Sequence, residues 1–183
     1  MEIVEILSKD RLRCEFREIS KNDGETLGEF FSELSDETRS RFAPHPLTTE
    51  YADKLCLNLS DDTAERFVLY FQGNIVGYFI LDNEMSSHEQ KRYQPFGINL
   101  ESKKDVLFAP CIADEFQNKG LASNVMSILI EHAKEKQVRS IVLLGGTQET
   151  NSLARAFYKK FGFKEFGGYQ TEIYNKDMRL ELL

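Results

Sequence analysis

The stretch FQNKGLASNV, residues 116–125, contains residue types that could hold an anion. The spacing of an apolar run in this region predicts a helix. Gln117 and Gly120 precede this run, and Ala122 lies in its first turn. The first backbone N–H groups of a helix have no internal partner, and the helix dipole makes that end partly positive, so a phosphate fits there. Gly120 and Ala122 would let the phosphate approach the backbone, and Lys119 would add a positive charge. The same residues also suit a glycine that merely forms a turn.

A second stretch with potential chemistry is NSLARAFYKKFGF, which begins at Asn151. Its pattern predicts a helix in which the small side chain of Ala154 leaves little bulk on one face. Tyr158 lies about two turns after Asn151 on the same side. A tyrosine hydroxyl at such a place could donate a proton to a leaving group. Phe157 and Phe161 are four residues apart, so we expect both of them in the core.

The elements that must position these stretches alternate along the chain. Strands are predicted at 11–19, 64–72, 75–82, 105–112, 140–144, 163–166 and 172–182. Helices are predicted from Asn22 or Asp23, with Leu27, Phe30, Phe31 and Leu34 buried, from Thr48 or Thr49, from Lys119 to Gln137, and from Asn151 to Phe161. Gly73-Asn74 indicates a two-residue hairpin turn. The polar segment 83–104 is long for a plain loop, which favours a functional role for it.

The composition is that of a globular protein. The chain has 183 residues, of which 41% are hydrophobic and 29% are charged, and this length suits one domain with a substantial core. We expect no signal peptide and no membrane span, and three widely spaced cysteines indicate a reduced, cytoplasmic setting. The histidines show no ligand spacing, so no metal is expected.

The charge is unevenly distributed along the chain. The net charge of −7 argues against a nucleic-acid partner. Residues 117–164 carry eight Lys or Arg and three Glu, so the rest of the chain is strongly acidic. This pattern is compatible with solvated helices, or with an anionic ligand on the basic segment and a cationic one near the acidic part.

Together, and in this order, the two stretches resemble the motifs of the GNAT acetyltransferase superfamily over about 106–166. The family pattern Gln/Arg-x-x-Gly-x-Gly/Ala is matched by Gln117, Gly120 and Ala122. The pattern Asn-x-x-Ala-x-x-x-Tyr-x-x-x-Gly-Phe is matched by Asn151, Ala154, Tyr158, Gly162 and Phe163. The resemblance implies an α/β fold with a mixed, splayed central sheet of six to seven strands flanked by about four helices.

The resemblance also implies an N-acetyltransferase that moves an acetyl group from acetyl-CoA to a primary amine by direct attack. Tyr158 would be catalytic, as the acid facing the cofactor sulfur. The backbone near Cys111 and Ile112 would pair with the pantetheine arm, and the amides from Asn118 to Ser123 would hold the pyrophosphate. The implied cofactor-binding set is Cys111, Ile112, Gln117, Asn118, Lys119, Gly120, Leu121, Ala122, Ser123, Asn151, Ala154 and Tyr158.

The resemblance implies one acetyltransferase domain over 1–183. Residues 1–104 would shape the acceptor site, 105–166 would form the cofactor-binding core, and 163–183 would supply closing strands. The partners would be acetyl-CoA and an amine acceptor, either a small molecule or a peptide, and the protein would be a monomer or a homodimer. An inactive acetyl-CoA sensor, or an interaction module on the same fold, is the alternative.

The sequence does not identify the general base. Several relatives that acetylate protein N-termini carry an acid five residues before the motif asparagine, where this sequence has Gly146. Glu84, Glu149 and Glu172 are candidates, and a water relay is equally compatible. Cys111 could suggest an acyl-cysteine intermediate, but direct transfer favours a buried structural thiol.

Overall fold

The structure, a computed structural model, describes residues 2–183, in which nine strands and six α-helices form a mixed α/β fold with an open sheet. The strands are β1 Val4–Leu7, β2 Arg13–Glu18, β3 Ala64–Phe71, β4 Asn74–Asp82, β5 Asp105–Ile112, β6 Ser140–Leu143, β7 Thr147–Gln148, β8 Lys164–Gln170 and β9 Tyr174–Glu181. The helices are α1 Gly24–Glu33, α2 Asp36–Ser40, α3 Thr49–Leu57, α4 Ser87–Tyr93, α5 Leu121–Glu135 and α6 Ser152–Lys160.

The chain divides into two compact units, and the first contains the residues up to Ile80 together with Pro110–Ile128. Here β1 pairs with β2, and β2 with β3, both antiparallel, and β4 follows β3 in the sheet. Helices α1 and α3 pack against each other. The sheet core includes Phe16, whose ring stacks on Phe67 at 5.5 Å and meets Phe79 edge-on at 5.8 Å.

The second unit contains Leu81–Ala109 and Leu129–Leu183. Strands β5 and β6 are parallel, β6 pairs antiparallel with β9, and β9 also pairs antiparallel with β7 and β8. The segment 83–104 is well packed here, because three of its side chains, Met85, Tyr93 and Leu100, share a buried cluster with Leu107 and Val142.

The predicted mixed sheet is confirmed, and all seven predicted strands and four predicted helices are present. The structure adds two strands of at most four residues, β1 and β7, and two helices of at most seven residues, α2 and α4. Elements this short contain too few residues for a hydrophobic period to show. No described helix is both long and apolar enough to span a membrane.

The predicted start of α1 is confirmed, since Asp23 is its N-cap residue, but the Asp23 side chain makes no cap hydrogen bond. Its carboxylate instead accepts hydrogen bonds from Arg17, Tyr70 and the Ser20 amide. The hairpin between β3 and β4 turns at Gln72-Gly73, one residue earlier than predicted. Both turn residues have positive φ, 51° and 87°, as a type I′ turn requires.

Candidate active site

The loop that enters α5 presents a row of backbone donors. Asn118 and Gly120 adopt positive φ, 61° and 80°, so the chain turns sharply before the helix begins. The Gly120 carbonyl accepts hydrogen bonds from the amides of Ser123 and Asn124. Within residues 2–183, the five amides from Asn118 to Ala122 donate to no backbone carbonyl. These amides, which we call the amide row (118–122), can therefore bind an anion.

Two residues from the N-terminal hairpin support this loop. The Lys9 amide donates to the Lys119 carbonyl at 2.8 Å, and the Asn124 side chain donates to the Leu7 carbonyl at 2.9 Å. The Lys9 side chain lies over Gly120, where its Cγ would be 3.2 Å from an added Cβ. The Lys119 ammonium is 3.4 Å from the Asp10 carboxylate, so part of the positive charge expected from Lys119 is neutralised.

The Gln117 side chain is held inside the first unit. Its Nε2 donates to the Ile112 carbonyl and to the Thr38 hydroxyl, both at 3.1 Å. The carboxylate of Asp114 accepts from the same Thr38 hydroxyl at 2.7 Å. Sequence reasoning missed Lys9, Thr38 and Asp114, because none of them belongs to a motif and each contact joins distant parts of the chain.

Cys111 and Ile112 lie at the end of β5, beyond the residues with a partner in β6. The register of β5 with β6 runs from Asp105 to Phe108, so the last residues of β5 extend past that pairing. Burial, with a smaller contribution from Asp114, raises the pKa of Cys111 to about 12. The thiol is protonated at neutral pH and therefore a poor nucleophile, which favours the structural role.

Helix α6, in the second unit, carries the other predicted site residues. The Asn151 side-chain oxygen accepts from the Ala154 amide at 3.1 Å and caps the helix, so its NH2 group is the part that can reach a ligand. Tyr158 is only 7% exposed, and burial alone raises the pKa of its hydroxyl. The Tyr158 ring packs on Phe157 and Phe163, with centroids 5.2 and 5.3 Å apart.

The prediction that Phe157 and Phe161 are core residues is wrong. Both are only partly buried, and their rings contact each other at 5.1 Å along the helix. Tyr158 is the buried aromatic residue of α6. The period of the helix identified the aromatic residues but could not indicate which of them would be buried.

The candidate bases are all exposed carboxylates. Glu84 lies in the irregular segment between β4 and α4, and Glu172 lies in the bend between β8 and β9. Glu149 forms an ion pair with Lys176 at 3.1 Å. Gly146 has a φ of 71°, and a Cβ there would be 2.5 Å from the Lys176 carbonyl oxygen. Because that distance is far below van der Waals contact, the backbone excludes an acidic side chain at this position.

Helix α4 contributes a charged cluster that sequence reasoning also missed. The Arg92 Nε donates to both Asp177 carboxylate oxygens, at 3.0 and 3.1 Å, and the two side chains are 10% and 2% exposed. The Arg92 guanidinium lies 4.5 Å from the centre of the Tyr169 ring, and Nη1 is 2.8 Å from Nδ1 of His88. This cluster fixes α4 to the β8–β9 hairpin.

Comparison with known proteins agrees with this architecture. A sequence model of the acetyltransferase (GNAT) family matches residues 28–163, well over half of the chain. The GNAT domain of S. lividans PAT is 15% identical, with a TM-score of 0.77 over 98% of this chain and 97% of that one. A ribosomal-protein-S5-alanine acetyltransferase from Vibrio fischeri is also 15% identical, with a TM-score of 0.75 over 99% and 97%.

A putative acetyltransferase from Salmonella typhimurium, solved with its cofactor acetyl-CoA, has a TM-score of 0.68 and 16% identity over 92% of this chain and 94% of that one. At such low identity, these three likenesses concern the fold. The family match goes further: this chain belongs to the GNAT acetyltransferase family, whose cofactor is acetyl-CoA.

Proposed function

We propose that this protein is an N-acetyltransferase that transfers the acetyl group of acetyl-CoA directly to a primary amine. Residues 1–104 would shape the acceptor site, as the resemblance implies. The observation that carries the proposal is the amide row, five backbone donors with a positive-φ glycine at the start of a fifteen-residue helix. Such a site matches the pyrophosphate of acetyl-CoA in charge and in hydrogen bonding.

The remaining contacts to the cofactor follow from the same assignment. The amide of Ser123 is already bonded to Gly120, so we assign the phosphates to the five amides before it. The end of β5 at Cys111 and Ile112 offers backbone groups to the pantetheine amides, and the NH2 group of Asn151 offers another donor. Ala154 leaves space beside Asn151 through its small side chain, and Leu121 contributes its amide to the amide row while its side chain is buried.

Bound acetyl-CoA supplies a thioester carbon for attack and a thiolate leaving group. The amine nitrogen forms a bond to that carbon, the carbon–sulfur bond breaks, and the thiolate takes a proton. We assign that proton to the Tyr158 hydroxyl, which is protonated at neutral pH because burial raises its pKa; the phenolate then regains a proton from water. The chain otherwise acts by holding two substrates together, which accounts for much of the acceleration in such reactions.

The test of this function is thiol release from acetyl-CoA in the presence of a panel of amines and short peptides. An enzyme releases thiol only with a suitable amine and yields the acetylated amine by mass spectrometry. A protein that binds coenzyme A in calorimetry, yet releases no thiol with any acceptor, would be a sensor. Absence of binding in calorimetry would contradict the cofactor assignment itself.

The pH dependence of kcat/KM should follow the acceptor rather than the protein. The three candidate carboxylates are exposed and Gly146 excludes a fourth, so we expect water to take the proton of the amine. The rate should rise with pH up to the pKa of the acceptor amine, and a less basic acceptor should move the rise to lower pH. Because burial raises the pKa of Tyr158, no falling limb is expected below about pH 10, near the ordinary tyrosine value. A rise at one fixed pH for all acceptors would instead identify a protein base.

A further inference from the structure

Four polar side chains in the first unit connect the start of α2 to the turn before α5. Asp114 Oδ1 accepts from the hydroxyls of Ser35 and Thr38, each at 2.7 Å, and its Oδ2 accepts from the Ser35 amide at 3.0 Å. The Thr38 hydroxyl in turn accepts from Gln117 Nε2 at 3.1 Å. We call Ser35, Thr38, Asp114 and Gln117 the latch.

The direction of every hydrogen bond in the latch is fixed by chemistry. The Ile112 carbonyl can only accept, so the atom of Gln117 that faces it at 3.1 Å must be the NH2 group. The same NH2 group faces Thr38, whose hydroxyl must therefore accept from Gln117 and direct its own hydrogen to Asp114. Thr38 is the central residue of the latch, because its hydroxyl accepts from Gln117 and donates to Asp114.

The charge of Asp114 supports this arrangement. Burial by itself would raise the pKa of Asp114, but the hydrogen bonds from Ser35 and Thr38 lower it below the ordinary value. Asp114 is thus a carboxylate at neutral pH, and hydrogen bonds to a charged acceptor are the stronger kind. The latch links segments that are 76 to 79 residues apart in sequence, with Thr38 buried and with Ser35 and Asp114 exposed.

The latch ends where the amide row begins. Gln117 immediately precedes Asn118, and the carbonyl of Lys119 is held by the Lys9 amide at 2.8 Å. The backbone between these two anchors includes the positive-φ residue Asn118. The direction of each free amide depends on that backbone, so both anchors determine where the donors point. Preorganised donors bind an anion without the cost of ordering the loop first.

We propose that Thr38 is a positioning residue for the cofactor: through Gln117 it fixes the amide row in the direction that a pyrophosphate requires. The proposal rests on the proposed function, which assigns the amide row to acetyl-CoA. The proposal gives Thr38, a residue of α2, a function at the loop that it contacts through the Gln117 side chain. It also gives a function to the side chain of Gln117, the first residue of the motif, which turns inward.

Thr38→Val tests this directly, since it keeps the shape of the side chain and removes the hydroxyl. Coenzyme A should bind about five- to tenfold more weakly by calorimetry, on the order of one lost hydrogen bond. The KM for acetyl-CoA should rise equally, with kcat at saturation nearly unchanged. Thr38→Ser restores the hydroxyl and should restore the affinity.

Thr48→Val is the matched control. Its hydroxyl caps α3 by accepting from the Tyr51 amide at 3.2 Å, so the variant loses a comparable bond in the same unit but none to the loop. It should lower the melting temperature and leave the affinity for coenzyme A unchanged. If Thr38→Val behaves in the same way, the latch merely stabilises α2 and the proposal is wrong.

Gln117→Leu provides a second approach, which also serves if Thr38→Val fails to fold. It breaks the link from the loop side and leaves the bonds of Asp114 to Ser35 and Thr38 in place. Its loss of affinity should be at least that of Thr38→Val, because it also removes the bond to the Ile112 carbonyl. The double variant should lose no more than Gln117→Leu alone, because the link to Thr38 is already absent from that variant. Fully additive losses, or no loss with Gln117→Leu, would refute the proposal, whereas failure of the unaltered protein to bind coenzyme A would refute the proposed function instead.

Discussion

Tyr158→Phe should reduce turnover on the correct acceptor by about ten- to a thousandfold, the usual contribution of general acid–base catalysis. The affinity for acetyl-CoA and the melting temperature should stay near those of the unaltered protein. The proton is needed only as the carbon–sulfur bond breaks, so its loss affects the transition state more than binding. The ring contacts with Phe157 and Phe163 do not involve the hydroxyl and would remain.

The control for this experiment is Tyr70→Phe. The Tyr70 hydroxyl donates to Asp23 at 2.8 Å and lies 3.0 Å from the Thr26 hydroxyl, so it stabilises the first unit. That variant should unfold more easily and retain its turnover per folded molecule. If Tyr158→Phe shows the Tyr70 pattern, the hydroxyl is structural. If it loses neither stability nor turnover, water or the acceptor protonates the thiolate and Tyr158 has no part in the mechanism.

The sequence predicted those parts of the site that are local in the chain. The strand 105–112 coincides with β5, and the two motif helices begin within two residues of their predicted starts. Each of these signals lies within about fifteen consecutive residues, where the hydrophobic period and the helix caps are set. The positions of Gly120 and Asn151 at helix starts are local signals of the same kind.

The contacts between distant segments could not be predicted. Three such contacts join residues between 79 and 111 positions apart: Lys9 with Gly120, Thr38 with Gln117, and Asp177 with Arg92. No period or motif indicates which of many polar side chains will meet once the sheet has formed. The exclusion of a side chain at Gly146 is of the same kind, because it depends on the Lys176 carbonyl of another strand.

The question whether the stretch 116–125 holds an anion can be decided at Gly120. Gly120→Glu should weaken acetyl-CoA binding at least tenfold, about 1.4 kcal/mol, because it adds bulk and a like charge beside the pyrophosphate. Part of any effect would come from strain, since the φ of 80° costs an ordinary residue roughly 1–2 kcal/mol. The added Cβ would also approach Lys9, whose flexible side chain can move aside.

Gly120→Gln separates these causes, because it brings the same strain and nearly the same bulk without the charge. If the amide row binds phosphate, the Glu variant should bind acetyl-CoA several-fold more weakly than the Gln variant. The difference should shrink as ionic strength rises from low to physiological, because salt screens exposed charges. Calorimetry on the three proteins, with melting temperatures to confirm folding, measures both effects. Equal binding by both folded variants and the unaltered protein would mean that Gly120 only forms a turn.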